Sequence, residues 1–226
     1  MAEFVKQFET VSQHASHLPA YLCADERITI GEVNDLANQL AHWLSATLRA
    51  ELSVVGVCTE VSLLTGSLVL GILKSGKVYM GLDPTYPCDR LRYMVEESNC
   101  ALVVTDGTIP PDQFGTPKVV SIYDAISSAR IYSTSNLAAI EEEDYPAYVT
   151  FTSGSTGRAK AVLSPMRQID NRFSWMWEPI LSTQARFVAS ECHSALWMPC
   201  GSSLGRFAKE SRWRSFPARI VRSGRL

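Results

Sequence analysis

The sequence predicts an α/β fold in which a mostly parallel sheet is flanked by helices. Three observations support this class. Short apolar runs of strand length alternate along the chain with longer segments whose apolar residues recur at helical spacing. Several of the connections between them carry Gly and Pro, which favour turns. The 226 residues are 46% hydrophobic and 19% charged, so the chain can bury a sizeable core and does not have a disordered composition.

The first predicted helix covers residues 29–48. Its apolar residues recur at helical spacing from Ile30 to Leu44. Thr29 and Glu32 fit the S/T-x-x-E pattern of a capping box, in which each side chain accepts from a backbone N–H at the start of the helix. We therefore expect an amphipathic helix that begins at about Thr29.

The other elements follow from the same criteria. Predicted strands cover residues 53–59, 78–82, 101–105, 118–122 and 148–152, and predicted helices cover residues 61–74 and 88–98. Residues 106–117 hold two Gly and three Pro and are expected to be a loop. The polar residues 123–147, with the acidic run 141–144, are expected to be a solvated linker.

Composition narrows the function classes. Lys and Arg total 21 against 23 Asp and Glu, a near-neutral balance that argues against nucleic-acid binding by the molecule as a whole. Glu3 and Lys6 interrupt any signal-peptide core, and the most apolar stretch, residues 61–73, is too short to span a bilayer. We expect a cytoplasmic protein with no membrane partner.

The cysteines and histidines do not predict a metal centre. The six cysteines form no CxxC pair, which fits a reducing compartment. His14, His17 and Cys23 lie close in sequence but are one ligand short of a structural zinc site. We interpret them as scattered polar residues and predict no metal ligands.

A strand followed by a glycine-rich loop, at residues 148–162, carries the clearest chemistry. Glycines let backbone amides approach an anion closely, hydroxyl groups can donate to phosphate oxygens, and a lysine adds positive charge. Ala159 stands where a Walker A loop requires Gly, so the segment is not that motif. An ordinary Ser/Gly turn is the alternative. The candidate phosphate-binding residues are Thr152, Ser153, Gly154, Ser155, Thr156, Gly157 and Lys160.

The loop text T-S-G-S-T-G-x-x-K resembles the phosphate loop of the adenylate-forming (AMP-binding) superfamily. That superfamily includes acyl-CoA synthetases, luciferases and the adenylation domains of nonribosomal peptide synthetases. Residues 28–41 and 73–94 resemble two motifs of the peptide-synthetase branch, in the expected order. Residues 171–177 are similar to the segment after the loop in beta-alanine-activating and related enzymes. The resemblance covers about residues 20–178.

The resemblance implies ATP-dependent activation of an amino or carboxylic acid. In the family, the acid's carboxylate attacks the α-phosphorus of ATP, which gives an acyl-adenylate and pyrophosphate. The candidate loop residues would hold the β- and γ-phosphates, with Mg²⁺ assisting, so ATP and Mg²⁺ are the implied cofactors. A phosphopantetheine carrier protein or CoA would be the thiol partner. The resemblance leaves the catalytic residues of this chain unknown.

Some positions depart from the family pattern. Ala159 stands where relatives usually have Pro, Ala161 where they have Gly, and Met166 where many have His. Asp83 and Arg90 match motif text, but we interpret them as turn and helix-cap residues.

The charge distribution suggests a boundary near residue 182. Residues 1–182 carry 13 basic and 21 acidic residues, and residues 183–226 carry 8 basic and 2 acidic. The family's later motifs do not occur after residue 178. We therefore interpret residues 1–182 as a truncated AMP-binding domain that is not catalytically competent. The alternatives are a non-catalytic nucleotide-binding or interaction fragment and, less favoured, a nucleic-acid binder with a basic tail.

The genetic code favours an out-of-frame or alternatively spliced tail over residues 183–226. The codons of Trp197-Met198-Pro199, read one frame over, must encode Asp-Ala. With permitted codons the neighbouring residues can read V-D-A-V-W-E followed by G-V-P-L-A-V. This order and spacing resemble the next core motif of the family, F-D-x-S-x-W-E, and the stretch after it.

Overall fold

The computed structural model describes residues 3–23, 26–48, 52–60, 62–138, 140, 145–152 and 159–172. The helices are α1 (Glu3–Ala15), α2 (Ile30–Thr47), α3 (Leu63–Lys74), α4 (Cys88–Glu97) and α5 (Ile122–Ala129), with a short 3₁₀ helix at Pro111–Phe114. The strands are β1 (Pro19–Cys23), β2 (Glu26–Thr29), β3 (Val54–Cys58), β4 (Val78–Gly81), β5 (Cys100–Thr105), β6 (Lys118–Ser121), β7 (Pro146–Thr152) and β8 (Lys160–Pro165). Residues 166–172 are helical.

Six strands form one sheet in the order β6-β5-β3-β4-β7-β8. All neighbours from β6 to β7 run parallel, and β8 is antiparallel to β7. β1 and β2 form a separate antiparallel pair. Parallel neighbours need crossover connections, which helices provide here. The predicted class, a mostly parallel α/β fold with flanking helices, is confirmed.

The sheet separates two hydrophobic cores. Successive side chains of a strand point to opposite faces, so Val55 and Val57 of β3 join one core while Val54 and Cys58 join the other. Helices α1, α2, α3 and α5 pack on the first face, which we call the four-helix core. On the second face α4 and the 3₁₀ helix supply the helical side chains, which defines the α4 core.

Local capping explains where two helices begin. The Thr29 hydroxyl accepts from the Glu32 backbone N–H at 3.2 Å, and the Glu32 carboxylate accepts from the Thr29 N–H at 2.8 Å. The predicted capping box of α2 is therefore confirmed. Ser62 and Thr65 form the corresponding box at the start of α3. That helix ends before Gly76, whose φ of +69° lets the chain turn into β4.

The prediction of a linker at residues 123–147 is wrong at both ends, since α5 occupies its start and β7 already begins at Pro146. Ser121 caps α5, and Ile122, Ala125 and Ala129 of this helix are buried in the four-helix core. Polar residues after the helix have partners in α2: the Asn38 amide donates to the side-chain oxygen of Asn136 at 2.9 Å, and the Gln39 amide donates to the carbonyl of Arg130 at 3.2 Å. These polar residues pair with another helix, which their composition cannot show. The acidic run 141–144 lies outside the described residues.

Helix α1, which the sequence reading did not predict, has its N-terminal cap far away in the chain. The carboxylate of Asp170 accepts from the backbone N–H groups of Glu3 and Phe4, at 3.2 and 2.9 Å. The two ends of the described chain thus meet beside the four-helix core. A cap from a residue 166 positions away leaves no local sequence signal.

Neither a membrane-spanning helix nor a cluster of metal ligands is found in the described ranges. None of the helices described is long and apolar enough to cross a bilayer. No three His, Cys, Asp or Glu side chains within those ranges are grouped to hold a metal ion. His14 lies in α1, where its Nδ1 contacts the carbonyl of Thr10 at 2.8 Å.

Candidate functional site

The carboxyl ends of β3, β4, β5 and β7 meet at one edge of the sheet, because these strands are parallel. In open α/β sheets this edge is where ligands usually bind. Polar residues follow each of these strands within two positions: Thr59 after β3, Asp83 after β4, Asp106 after β5, and the candidate loop at the end of β7. The predicted loop therefore begins at the edge where a ligand is expected.

The loop is closed by the β7–β8 hairpin. Thr152, the last residue of β7, is the register partner of Lys160, the first residue of β8. Both side chains are exposed. The flanking Phe151 and Ala161 are half-buried against the α4 core, which anchors the base of the hairpin. An exposed hydroxyl and an exposed ammonium group thus stand at the two ends of the loop.

Five of the seven predicted site residues cannot be placed. Thr152 and Lys160 are described, and they lie where a phosphate loop would begin and end. The other five lie outside the described residues: Ser153, Gly154, Ser155, Thr156 and Gly157. The proposed role of the whole loop therefore stays a prediction.

A tyrosine that the sequence reading did not select contacts the loop stem. The hydroxyl of Tyr93 in α4 donates to the backbone carbonyl of Ala159 at 2.7 Å. Ala159 directly precedes β8 and is half-buried. The two residues are 66 positions apart, so sequence spacing alone could not have revealed the contact.

The two carboxylates that follow the neighbouring strands, Asp83 and Asp106, accept hydrogen bonds from backbone groups close to the strand ends. Asp83 accepts from the backbone N–H and the hydroxyl of Thr85, at 2.8 and 2.7 Å, which is the turn role expected for it. Arg90 is not the predicted helix cap, because the N-terminus of α4 has no side-chain cap bond; its guanidinium stacks 3.8 Å from the ring centroid of Tyr86. Asp106 accepts from the backbone N–H of Glu60 at 2.7 Å and so joins the ends of β3 and β5.

Protonation at this edge follows from burial and hydrogen bonding. Partial burial would raise the pKa of Asp106, but hydrogen bonds from Thr108 and Glu60 hold it below its ordinary value. Burial, with a smaller contribution from the negative charges of Asp106 and Asp83, raises the pKa of Cys58 to about 12. Cys58 is thus a neutral thiol at physiological pH, which does not suit a nucleophile.

A family comparison identifies the kind of domain to which this edge belongs. Residues 8–208 match the family model described as "AMP-binding enzyme". The chain belongs to this family. The match includes both the described α/β part and the first part of the predicted tail, and the division at residue 182 stays a prediction.

Two AMP-binding relatives are bacterial peptide synthases. The chain is 36% identical over 169 residues to tyrocidine synthase 2 of Brevibacillus parabrevis, a match that covers 74% of this chain and 5% of the relative. It is 32% identical over 171 residues to bacitracin synthase 3 of Bacillus licheniformis, which covers 74% of this chain and 3% of the relative. The chain thus spans only a small part of these relatives.

A solved structure shows the same fold. The alpha-methyl-L-serine-AMP-bound form of the nonribosomal peptide synthetase FmoA3 superimposes with a TM-score of 0.77 at 21% identity. The superposition covers 91% of this chain and 23% of that one. The chain therefore has the fold of part of that synthetase.

Proposed function

We propose that the chain is the N-terminal part of an ATP-dependent ligase that activates an amino or carboxylic acid as its acyl-adenylate. The main support for the proposal is the last register pair of the β7–β8 hairpin, Thr152 and Lys160. Thr152 and Lys160 are exposed register partners at the carboxyl edge of the sheet, on either side of a glycine- and hydroxyl-rich loop. A hydroxyl, a cation and closely spaced backbone amides suit a polyphosphate.

The proposed chemistry assigns a charge-binding role to this loop. The acid's carboxylate attacks the α-phosphorus, the bond from that phosphorus to the bridging oxygen breaks, and pyrophosphate leaves with the electron pair. The protein must offset the phosphate charge while it holds the in-line geometry. Lys160 would supply positive charge to the β- and γ-phosphates. The other contacts would come from Thr152, Ser153, Gly154, Ser155, Thr156 and Gly157.

The loop would supply only a minority of the ligands of Mg²⁺, because water and phosphate oxygens provide most of them. This ion usually keeps several waters and binds through phosphate oxygens with one or two protein oxygens. The exposed hydroxyl of Thr152 is a described protein oxygen at the loop that could contribute. When bound, the ion would neutralise part of the negative charge of the nucleotide.

We propose an amino or carboxylic acid as the substrate class and a thiol as the acceptor of the activated acyl group. The support is the family and its peptide-synthase relatives. The thiol would belong to a phosphopantetheine carrier protein or to CoA. We also propose a cytoplasmic location, where ATP and such acceptors are available.

The binding proposal is tested with MgATP and two lysine variants. We expect weak binding by the full chain, about millimolar or near −4 kcal/mol, because the loop supplies phosphate contacts alone. Lys160→Ala should weaken it at least about tenfold, since a hydrogen bond to a charged group contributes about 1.5–3 kcal/mol. Lys118→Ala is the matched control, because Lys118 is an exposed lysine on the opposite edge strand, β6.

Ligand-observed phosphorus NMR at fixed salt gives the three affinities. The control should match the wild type. Equal affinities in the wild type and Lys160→Ala would move the phosphate site away from this loop and leave the loop sequence without a local function.

We further propose that the 226 residues on their own do not catalyse adenylation. The supporting observation is the lack of the family's later motifs in the residues after 178. ATP–pyrophosphate exchange with each of the twenty amino acids and beta-alanine should stay at the blank level. Exchange well above the blank would overturn this proposal, and an intact shifted reading frame in the transcript would support it.

A further inference from the structure

The contact between Tyr93 and Ala159 links a firmly packed helix to the loop stem. Near Tyr93 in α4, three side chains are buried in the α4 core: Leu91, Met94 and Val95. Tyr93 lies beside this apolar face and is half-buried, so its hydroxyl can reach towards β8. The 2.7 Å distance to the Ala159 carbonyl is that of a well-formed hydrogen bond.

The bonded carbonyl belongs to the peptide unit that leads into Lys160. A peptide unit is planar, so a bond that fixes the carbonyl oxygen of Ala159 also fixes the direction of the Lys160 N–H. It also fixes the point from which the Lys160 side chain begins. Lys160 in turn is the register partner of Thr152. One hydroxyl thus acts on both ends of the loop.

We propose that Tyr93 is a positioning residue for Lys160 at the stem of the predicted phosphate loop, a role that rests on the proposed nucleotide binding. Its hydroxyl holds the peptide between Ala159 and Lys160 in one orientation against the α4 core. The backbone from which the Lys160 ammonium reaches a polyphosphate is then already ordered before the ligand binds. Pre-organisation of this kind raises affinity with no additional contact to the ligand.

The test compares Tyr93→Phe with a matched loss of hydroxyl at Tyr148. The hydroxyl of Tyr148, in β7, donates to the Gln168 side chain at 3.1 Å and does not contact the loop stem. Each variant of the full chain loses one hydroxyl hydrogen bond, from a half-buried tyrosine in Tyr93→Phe and from a buried one in Tyr148→Phe. The two variants therefore separate an effect on the loop from a general loss of packing.

Three measurements are made on each variant. The first is the rate of tryptic cleavage of the Arg158–Ala159 bond under native conditions, with the Lys118–Val119 bond as internal reference. The second is the dissociation constant of MgATP. The third is the thermal unfolding midpoint, which reports general stability.

For Tyr93→Phe we expect cleavage after Arg158 to accelerate about three- to tenfold and MgATP affinity to fall by a similar factor. The unfolding midpoint should equal that of Tyr148→Phe, and Tyr148→Phe should match the wild type in cleavage and affinity. This combination distinguishes positioning from a structural contribution, which would lower the midpoint without a selective change at the loop.

Other outcomes overturn the proposal. Wild-type cleavage and affinity in Tyr93→Phe would show that the hydroxyl does not hold the stem. Equal changes in both variants would show a general packing effect. If the wild type binds no MgATP, the proposed function fails, and the cleavage comparison alone then decides whether Tyr93 orders the stem.

Discussion

Two lysines of this chain lie in opposite environments, one buried and one exposed. Lys74, the last residue of α3, is only 5% exposed and its ammonium group lies among oxygen atoms. Lys160, the first residue of β8, is exposed at the carboxyl edge of the sheet. Both are cations at the end of a helix or strand. The difference is whether the protein itself supplies the partners of the charge.

The partners of Lys74 come from three other parts of the chain. Its ammonium group contacts the Glu9 carboxylate at 2.8 Å. It also donates to the side-chain oxygens of Asn34, Asn38 and Asn136, at 2.8, 2.7 and 3.3 Å. We call these five residues the Lys74 junction. It ties α1, α2, α3 and the segment after α5 into one unit.

Burial has different consequences for the two charges. A buried cation must find its partners inside the protein, because an unpaired charge away from water is costly. Burial lowers the pKa of Lys74, and the Glu9 carboxylate opposes this shift. An exposed cation such as Lys160 keeps its water and can exchange it for a ligand. The Lys74 junction is therefore expected to stabilise the fold, and the Lys160 stem to bind.

The largest effect should come from Lys74→Met. This change roughly keeps the length of the side chain but leaves the Glu9 carboxylate, which is 12% exposed, and three amide oxygens without their shared donor. Removal of one partner of a buried ion pair costs about 3 kcal/mol or more. Urea denaturation of the full chain measures the loss, and Lys118→Met, at an exposed site, should stay within about 0.5 kcal/mol of the wild type.

A small loss in Lys74→Met would break the comparison. It would mean that Glu9 turns towards water and that the amides find partners among themselves. In that case the junction would be a consequence of packing, and its contribution to stability would be minor.

The pH dependence of stability sharpens the same contrast. The pKa of Lys74 is lowered in the folded state from 10.5, so the unfolded chain binds more protons between the two values. The unfolding free energy that Lys74 contributes should therefore rise with pH over the interval that ends at the ordinary lysine value of 10.5. The measurement is the difference in unfolding free energy between the wild type and Lys74→Met.

Taking this difference removes an opposing effect. Burial raises the pKa of Cys100 to about 11 from 9.0, so the folded state loses stability as pH rises above the ordinary thiol value. Cys58 acts in the same direction. Both variants contain these thiols, and their contributions cancel. A flat or falling difference would show that Lys74 is not the source of the slope.

The sequence was informative where the determinants are local. The Thr29 capping box, the apolar spacing of α2 and the strand runs of the parallel sheet were predicted, since each depends on residues a few positions apart. Thr152 and Lys160 were also selected from residues at short spacing, and their role in anion binding stays a prediction.

The sequence was uninformative where the hydrogen-bond partner of a residue lies far away along the chain. Helix α1 takes its cap from Asp170, and the segment after α5 pairs with polar side chains of α2 such as Gln39. Tyr93 in turn reaches Ala159 across the α4 core. These contacts form only when the sheet brings separate elements together, so neither composition nor periodicity could show them.

A smaller effect is expected from Lys160→Ala on stability. Its side chain is exposed at the start of β8, so its removal should change the unfolding free energy by no more than about 0.5 kcal/mol. In the same preparation, Lys74→Met should leave the MgATP affinity of the folded protein unchanged. A stability loss in Lys160→Ala comparable to that in Lys74→Met would show that both lysines serve the fold.

The smallest effect should follow removal of residues 183–226. The predicted out-of-frame origin gives this segment no evolved apolar face, and Trp197 and Trp213 would then have no matched site in either core. The segment carries a net charge of +6 against −8 for residues 1–182, so any association should be electrostatic and weakened by salt. Circular dichroism of chains 1–226 and 1–182 should show unfolding transitions within about 0.5 kcal/mol, with equal or better solubility for the shorter chain. A marked loss of folded signal in the shorter chain that persists at high salt would mean that the tail packs natively. Salt screens surface charge, so only buried apolar contacts would account for such a loss.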